Sequence, residues 1–406
     1  MPGTTYPRLR PVEPHVINYN GRPAIMLRDP LQLSDRVVVV PQLLAPLLML
    51  CDGTRDVAGL RAGLAVRSGI VMSPDNVANL IDQLDQALLL ENERFAQARA
   101  TVLDGYRSAP YRPPALAGAG YPAEPDDLSE YLQDFVDGLS YDDQVQPHGR
   151  GIVSPHVDYR RGGPVYAHVW SAAAGIARDA NLAVIFGTDH NGGLGTLTLT
   201  RQSYATPFGV LPTATDVVDA VVEAIGIEAA FDEELHHRHE HSIELAAVWL
   251  HHVREGQPVE VVPVLCGSFT HFVVGLGTPG EDPVFAAAIE ALQQATAGRE
   301  VLVIAAGDLA HVGPAFGDPQ PLDWVERARI QAADDQLIDA MCDGDAEGFF
   351  ELIRAEGDRR RICGLPPIYL ALRYLNGTQG TRAGYDRCPA DPHNGSIVSV
   401  CGVVWT

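Results

Sequence analysis

Three apolar segments in this 406-residue chain are each followed at once by polar residues that include a histidine. Short segments rich in β-branched and other apolar residues are typical of buried strands. The segments and the polar residues that follow them are Gly151–Val153 with His156, Leu182–Phe186 with Asp189 and His190, and Val301–Ala306 with Asp308 and His311. Polar residues at the carboxyl ends of strands in an open α/β sheet meet in one crevice. Residues far apart along the chain can therefore form one metal site.

Strand and helix patterns alternate from residue 151 to the C-terminus. The last segment, Ser396–Trp405, has the alternation of a sheet strand. Strands that alternate with helices indicate an α/β fold. We therefore predict a mixed or largely parallel central sheet flanked by helices, preceded by a small N-terminal winged-helix-like domain.

The sequence predicts three regions. Residues 1–100 contain equal numbers of arginines and acids and should form the small module, with a strand over 36–40 and helices over 41–50, 56–67 and about 74–87. Ser73 is the expected N-cap of the third helix, with Pro74 in its first turn. Proline and glycine are frequent in residues 101–126, which we expect to be a linker. Residues 127–406 should form the α/β metal-binding domain.

Composition excludes several classes of function. The net charge is −23 and no basic run is present, which disfavours nucleic-acid binding. The chain contains no lysine, which excludes a Walker A loop and a Schiff base on a protein lysine. Neither a signal peptide nor an apolar stretch long enough for a membrane span is visible. We expect a cytoplasmic protein with no membrane partner and with its six cysteines reduced.

Further candidate residues lie outside the three strand ends. His241 stands in the sequence Glu240-His241-Ser242-Ile243-Glu244, where the i,i+4 spacing is expected to place both glutamates on one helix face. A histidine there could transfer protons near neutral pH, or it could belong to a solvated first turn. The histidines at 236–239 are expected to be mostly at the surface. Cys363 precedes an apolar helix, and a lone cysteine of this kind usually has a packing role.

Seven motifs occur together in the order found in a known protein family. They are Ala117-Gly-Ala-Gly-Tyr-Pro122, Pro155-His156-x-x-Tyr159-x-x-x-Gly163-Pro164, Gly187-Thr-Asp-His190, Glu240-His-Ser-Ile-Glu244, Val262-Pro-Val-Leu265, Gly307-Asp308-x-x-His311-x-Gly313 and Ile362-Cys363-Gly364-x-x-Pro367-Ile. Over about 290 residues, from Ala117 onward, the chain resembles the Memo family, also known as AmmeMemoRadiSam system protein B. That family resembles the class III extradiol dioxygenases.

The resemblance implies an α/β fold with a metal crevice and assigns roles to residues. His156, His190 and Cys363 match metal-binding positions, and His241 matches the acid/base histidine of extradiol enzymes. Asp308 and His311 match positions beside the ligands or the substrate. We further expect Tyr159 to donate a hydrogen bond to bound oxygen species.

Two departures from the family patterns affect the ligand set. Asn191 stands where many members have a second histidine, so either of positions 190 and 191 could supply the ligand. Cys363 replaces the carboxylate of the usual two-histidine, one-carboxylate iron site. Glu244, Asp189 or Asp308 could supply a carboxylate instead.

The leading hypothesis is a non-haem metal-dependent oxygenase or dioxygenase that acts on a small-molecule or peptide-borne substrate. Fe(II) is the expected metal, and copper or zinc would also suit histidine and thiolate ligands. Two alternatives remain open, a non-catalytic peptide-binding protein and a metal-dependent hydrolase.

Residues 30–95 have a weaker resemblance to PqqD-type winged helices. The similar stretches are Leu50-Cys-Asp-Gly-Thr-Arg-Asp-Val-Ala58, Ser73-Pro-Asp75 and Leu88-Leu-Leu-Glu-Asn92. The resemblance implies that this region docks a peptide or protein. A purely structural or oligomer-forming extension is the alternative.

Overall fold

The computed structural model describes residues 6–12, 14–139 and 149–406 of the chain. The chain is divided into two compact units, Met1–Ser108 and Ala109–Thr406. Within the described residues, no helix is both long and apolar enough to cross a bilayer.

The first unit contains a three-stranded antiparallel sheet and helices packed on a core of leucines and valines. Its elements are β1 (His15–Tyr19), β2 (Arg22–Leu27), β3 (Val38–Pro41), α1 (Ala45–Leu50), α2 (Val57–Ser68), α3 (Pro74–Gln86) and α4 (Glu93–Ser108). Asn20 and Gly21 connect β1 to β2 with positive φ angles of 52° and 76°, which suits a tight hairpin turn. Ser73 caps α3 by accepting a hydrogen bond from the N–H of Asn76 (3.2 Å), as its sequence position predicts.

Residues 101–126, which we expected to be a linker, are organised differently. Residues 101–108 complete α4. From Ala109 onward the segment belongs to the second unit, in which its Arg112 is fully buried. Arg112 is bonded to the carboxylate of Glu244 and donates to the carbonyl oxygens of His237 (2.6 Å) and Glu240 (2.9 Å). The prolines of residues 109–124 disfavour regular structure there. The buried ion pair between Arg112 and Glu244 anchors the segment.

The second unit contains a large sheet with helices on both faces and a separate two-stranded sheet formed by β7 and β8. Its strands are β4 (Gly151–Ser154), β5 (Leu182–Thr188), β6 (Leu197–Leu199), β7 (Tyr204–Thr206), β8 (Gly209–Leu211), β9 (Glu260–Cys266), β10 (Val301–Ala306), β11 (His311–Val312), β12 (Gly380–Pro389) and β13 (Ile397–Trp405). Its helices are α5 (Pro125–Asp137), α6 (Tyr159–Ala172), α7 (Ala174–Asp179), α8 (Thr215–Ile225), α9 (Ile227–Phe231), α10 (Ser242–Val253), α11 (Thr270–Val273), α12 (Pro283–Ala295), α13 (Trp324–Cys342), α14 (Ala346–Ala355) and α15 (Leu365–Leu375).

The central sheet is mixed, as the sequence predicted. Its order is β11-β13-β4-β10-β5-β9-β6, with β12 paired to β13. Strands β4, β10, β5 and β9 are parallel, whereas β13 and β6 pair antiparallel at the two sides. Successive residues of a strand point to opposite faces. Along β5, Val184 and Phe186 accordingly join one core cluster and Ala183 and Ile185 join the other.

The register of the central strands brings their polar extensions together. In the parallel ladder, Ala306 at the end of β10 is paired with Ser154 of β4 on one side and with Gly187 of β5 on the other. The residues that follow these three strands therefore leave the sheet at the same edge, and this edge holds the candidate site.

Candidate metal centre

His156 follows β4 and is almost completely buried. Its backbone N–H donates to Oδ1 of Asp308 (2.8 Å), and its ring Nδ1 lies 3.2 Å from the carbonyl oxygen of Ala306. Because a carbonyl oxygen only accepts hydrogen bonds, Nδ1 carries the proton in the neutral ring. The lone pair is then on Nε2, which lies 3.3 Å from Sγ of Cys363.

A single buried carboxylate, that of Glu240, orients the other two imidazoles. One of its oxygens accepts from the backbone N–H (3.1 Å) and the ring Nδ1 (3.0 Å) of His190. The other accepts from the backbone N–H of His241 (2.7 Å) and lies 3.1 Å from its ring Nδ1. Each ring therefore directs Nε2 away from the carboxylate, in the manner of histidine ligands held by an acidic partner.

The three rings form one cluster, which we call the imidazole cluster (His156, His190 and His241). The ring of His156 meets those of His190 and His241 edge-on, with centroid distances of 5.1 and 5.5 Å. His190 and His241 stack at 4.9 Å. One nitrogen from each ring lies within 4.8 Å of the other two, so the three could bind a common ion. A second set of ligand atoms within the same distance comes from His156, Asp308 and Cys363.

Two glycines allow Cys363 to approach the imidazole cluster. A Cβ atom on Gly307, just after β10, would lie 2.5 Å from Cα of Gly364. No side chain fits in that space, so the two backbone segments can pack directly against each other. The N–H of Gly364 donates to the carbonyl oxygen of Asp308 (2.9 Å), which fixes the position of Cys363 beside the strand end.

The electrostatic surroundings of Cys363 favour its thiolate. Burial would raise its pKa, but His156, His311 and His190 together lower the pKa of the thiol well below its usual value. Burial would likewise lower the pKa of His156, yet the nearby Cys363 and Asp308 raise it to about 9. These shifts favour a thiolate–imidazolium pair when no metal is bound. The thiolate is also the form that binds metals.

Glu240 and His190 form a second charged pair. Burial would raise the pKa of Glu240, but its contacts with His190 and His241 lower that pKa well below its usual value. The pKa of His190 is raised well above its usual value, because the hydrogen bonds to Cys363 and Glu240 outweigh burial. The carboxylate that orients both rings is therefore ionised.

Asp308 and His311 lie beside the ligand candidates. Oδ2 of Asp308 is 3.8 Å from Nε2 of His156. Nδ1 of His311 lies 3.1 Å from the carbonyl oxygens of both Leu309 and Arg361, which leaves Nε2 as its remaining ring nitrogen. Asp308 therefore contacts His156 directly, and His311 is held by backbone carbonyl oxygens.

Tyr159, from which we expected a hydrogen bond to bound oxygen species, lies in the core instead. Its side chain is fully buried and its hydroxyl donates to the carbonyl oxygen of Leu245 (2.7 Å). Its ring packs against Tyr121, Tyr166 and Trp249. The position of Tyr159 at the start of α6, three residues after His156, turns it into the space between α6 and α10.

The i,i+4 spacing predicted that Glu240 and Glu244 share one helix face, but they do not. Helix α10 begins at Ser242, so Glu240 precedes it and turns toward the imidazole cluster. Glu244 lies within α10 and contacts residues 112–121 instead. Its carboxylate binds Arg112 and accepts from Tyr121 Oη (2.6 Å) and from two backbone N–H groups. Glu244 is thus engaged away from the site.

Asp189, another candidate for a carboxylate ligand, contacts a histidine outside the imidazole cluster. Oδ2 of Asp189 lies 2.8 Å from Nδ1 of His236, and Oδ1 accepts from the N–H of Asn191 (3.0 Å). Asp189, Glu233 and His236 form a separate group of three ligand atoms. The expectation of surface histidines at 236–239 fails for His237, which is fully buried beneath Thr198 and Tyr204.

Comparison with known proteins shows the family to which the chain belongs. Residues 112–393 match the family model described as Memo-like protein. The chain belongs to the Memo family. The match covers every residue of the imidazole cluster, as well as Asp308, His311 and Cys363.

Related proteins share this family name. A MEMO1 family protein of Aquifex aeolicus is 28% identical over 397 residues, which cover 94% of this chain and 95% of that protein. A MEMO1 family protein of Methanosarcina barkeri is 28% identical over 273 residues, 67% of this chain and 89% of that protein. One from Archaeoglobus fulgidus is 26% identical over 299 residues, 72% of this chain and 99% of that protein. The bacterial relative is therefore similar over both units, whereas the archaeal matches cover a smaller share.

Proposed function

We propose that this protein is a metal-dependent oxidoreductase of the dioxygenase type, acting on a small-molecule or peptide-borne substrate. The observation that carries the proposal is the convergence of the imidazole cluster with the thiolate of Cys363 at one edge of the sheet. Family membership adds support, because the Memo fold is related to that of class III extradiol dioxygenases.

The residues at this edge fit a first-row transition metal. Imidazole suits iron, copper and zinc, and thiolate suits the same group. Each imidazole has its Nδ1 held by an oxygen acceptor, either Ala306 or Glu240, so that Nε2 is available to a metal. We assign His156, His190 and Cys363 as the ligands, with Fe(II) as the expected metal. Iron bound there would supply the redox chemistry needed for oxygen activation.

The remaining groups would handle protons and substrate. His241 has its Nδ1 next to Glu240 and its ring stacked on His190, which leaves Nε2 to exchange a proton with a substrate in the crevice. Its side chain is 37% exposed, whereas that of His156 is only 2% exposed. His241 is therefore open to a substrate, as is the neighbouring His190, whose side chain is 38% exposed. Asp308 and His311 would orient the substrate.

Metal analysis of anaerobically purified protein tests the proposal. We expect close to one iron per chain after loading, and loss of that metal in His156→Ala with circular dichroism unchanged. His393→Ala, at an exposed position, is the control and should keep its metal. Wild-type protein that stays metal-free after loading with iron and copper would contradict the proposal.

Oxygen consumption separates the alternatives. A dioxygenase consumes oxygen as its substrate turns over, whereas a metal-dependent hydrolase turns its substrate over with no oxygen uptake. Peptide binding at wild-type strength by a His156→Ala/His190→Ala double variant, together with no turnover by the wild type, would favour a non-catalytic peptide-binding protein.

A further inference from the structure

The peptide group between Cys363 and Gly364 is held at both of its polar atoms. Its N–H, on Gly364, donates to the carbonyl oxygen of Asp308 (2.9 Å). Its carbonyl oxygen, on Cys363, accepts from Oγ1 of Thr188 (2.9 Å). Because a peptide group is planar, hydrogen bonds at both atoms to two different strand ends fix the direction of its plane. The plane includes Cα of Cys363, from which the thiol-bearing side chain departs.

Thr188 makes a further contact through its own carbonyl oxygen. That oxygen accepts from Oγ of Ser242 (2.8 Å), the first residue of α10. Gly187 lets the two segments come this close, because a Cβ atom there would lie 2.6 Å from Oγ of Ser242. Both Thr188 and Ser242 are buried. The last residue of β5 therefore joins the start of α10 to the turn that carries Cys363.

The place of Thr188 in the chain connects this junction to the imidazole cluster. His190 lies two residues after Thr188, and His241 directly precedes the first residue of α10. The hydroxyl of Thr188 reaches from these two segments to the turn with Cys363, whose Sγ lies 3.3 Å from Nε2 of His156. Without that hydroxyl, the carbonyl of Cys363 would be free to rotate, and Sγ would move with it.

We propose that Thr188 is a positioning residue whose hydroxyl holds the thiolate of Cys363 toward the imidazole cluster. A carbonyl oxygen only accepts hydrogen bonds, so this position requires a side-chain donor. Valine has a similar shape and is equally suited to a strand, so neither packing nor strand propensity calls for threonine here. The role of Cys363 as a metal ligand rests on the proposed function, whereas the two hydrogen bonds that hold it are present without a metal.

Cobalt(II) binding provides the first test. Cobalt suits nitrogen and sulfur ligands, and a thiolate-to-cobalt charge-transfer absorption arises only when a thiolate binds the ion. We expect this absorption in the wild type and in Thr188→Ser, which keeps the hydroxyl. Thr188→Val should bind cobalt about fivefold more weakly, the effect of one hydrogen bond, and should show less absorption per bound ion. Wild-type affinity and absorption in Thr188→Val would overturn the proposal, as would an equal loss in Thr188→Ser.

Hydrogen exchange of the Gly364 amide tests the same residue in the metal-free protein. Thr188→Val should speed this exchange about fivefold, because the peptide group loses one of its two hydrogen bonds, whereas Thr188→Ser should exchange as the wild type does. Nuclear magnetic resonance of the ¹⁵N-labelled full-length chain measures the rates. Unchanged exchange in Thr188→Val contradicts the proposal. If the wild type shows no thiolate absorption, the assignment of Cys363 as a ligand fails, and the exchange rates alone then decide the role of Thr188.

Thr378→Val is the matched control. Thr378 is also buried, and its hydroxyl donates to the carbonyl oxygen of Thr406 (2.8 Å). Thr406 follows Trp405, which pairs with Gly151 at the start of β4 and so lies at the opposite edge of the sheet from the candidate site. Loss of the same type of bond there should leave the cobalt absorption and the exchange of Gly364 unchanged. Equal changes in both valine variants would show a general effect of removing a buried hydroxyl and would overturn the proposal.

Discussion

Glu240 and His190 are joined twice, because one carboxylate oxygen of Glu240 accepts from both the backbone N–H (3.1 Å) and the ring Nδ1 (3.0 Å) of His190. The second oxygen has the same relationship to His241. One side chain therefore sets the orientation of two rings that stack on each other. His190, the ligand candidate, and His241, the proposed acid or base, therefore cannot be oriented independently.

Glu240→Gln should weaken metal binding by about 10–100-fold, the usual effect of losing an acidic partner of a histidine ligand. An amide has only one acceptor oxygen, so one of the two rings loses its partner. Competition with a chelator measures the affinity. Glu234→Gln is the control, since Glu234 is a buried glutamate outside the imidazole cluster that accepts from Oγ1 of Thr200. Unchanged affinity in Glu240→Gln would mean that the carboxylate does not hold the ligand.

Cys363 should be the first cysteine alkylated by iodoacetamide at pH 7 in the metal-free protein. Its neighbours lower its pKa, whereas burial raises the pKa of Cys51 and Cys342 to about 11 and that of Cys388 to about 12. Thiolates are the reactive form. Mass spectrometry of tryptic peptides measures the order of labelling. Bound metal should protect Cys363, and labelling of Cys342 at the same rate would contradict the expected order.

Glu244→Gln should destabilise the protein by about 3–5 kcal/mol, because it removes the carboxylate of a buried ion pair with Arg112. Tyr121→Phe removes only one hydrogen bond to the same carboxylate and should cost about 1 kcal/mol. Urea unfolding measures both. Metal content should be retained in folded Tyr121→Phe, and its loss there would place this network in the metal site.

His237 should make the free energy of unfolding depend on pH below pH 6.5. Burial lowers its pKa to about 3 from an ordinary value of 6.5. Between these values the unfolded chain binds a proton that the folded chain does not, so the free energy of unfolding falls as the pH falls below 6.5. The contribution is about 1.4 kcal/mol per pH unit. Above pH 6.5 it is constant.

A comparison of wild type with His237→Gln from pH 8 to 4.5 isolates this contribution. The variant should be less stable at neutral pH but should show a shallower loss on acidification. His393→Gln, at an exposed position, should keep the wild-type slope. Equal slopes in wild type and His237→Gln would show that His237 is not held in its neutral form.

The sequence predicted the central strands well because β4, β5 and β10 are continuous apolar segments that are buried on both faces. Parallel strands end at a common edge, and this accounts for the proximity of His156 and His190. The position of Cys363 did not follow from such a pattern. It stands in a turn before α15, and only the family resemblance pointed to it.

Other features depend on tertiary contacts that no local pattern reveals. The direction of Glu240 follows from where α10 begins, one residue after His241, and a helix start is uncertain by a residue or two in any sequence. His237 is polar and lies among other histidines, yet Tyr204 and Thr198 satisfy its ring in the interior. The hairpin of β1 and β2 was missed, although Asn20-Gly21 was an available turn signal.

The contact between Gly307 and Gly364 restricts how this protein can change. At most packing contacts, a larger residue on one side can be accommodated by a smaller one opposite. Here both partners are already the smallest residue, so neither can shrink to make room for the other. One added methyl group at either position would push the thiol away from the rings, and no substitution across the contact could restore it.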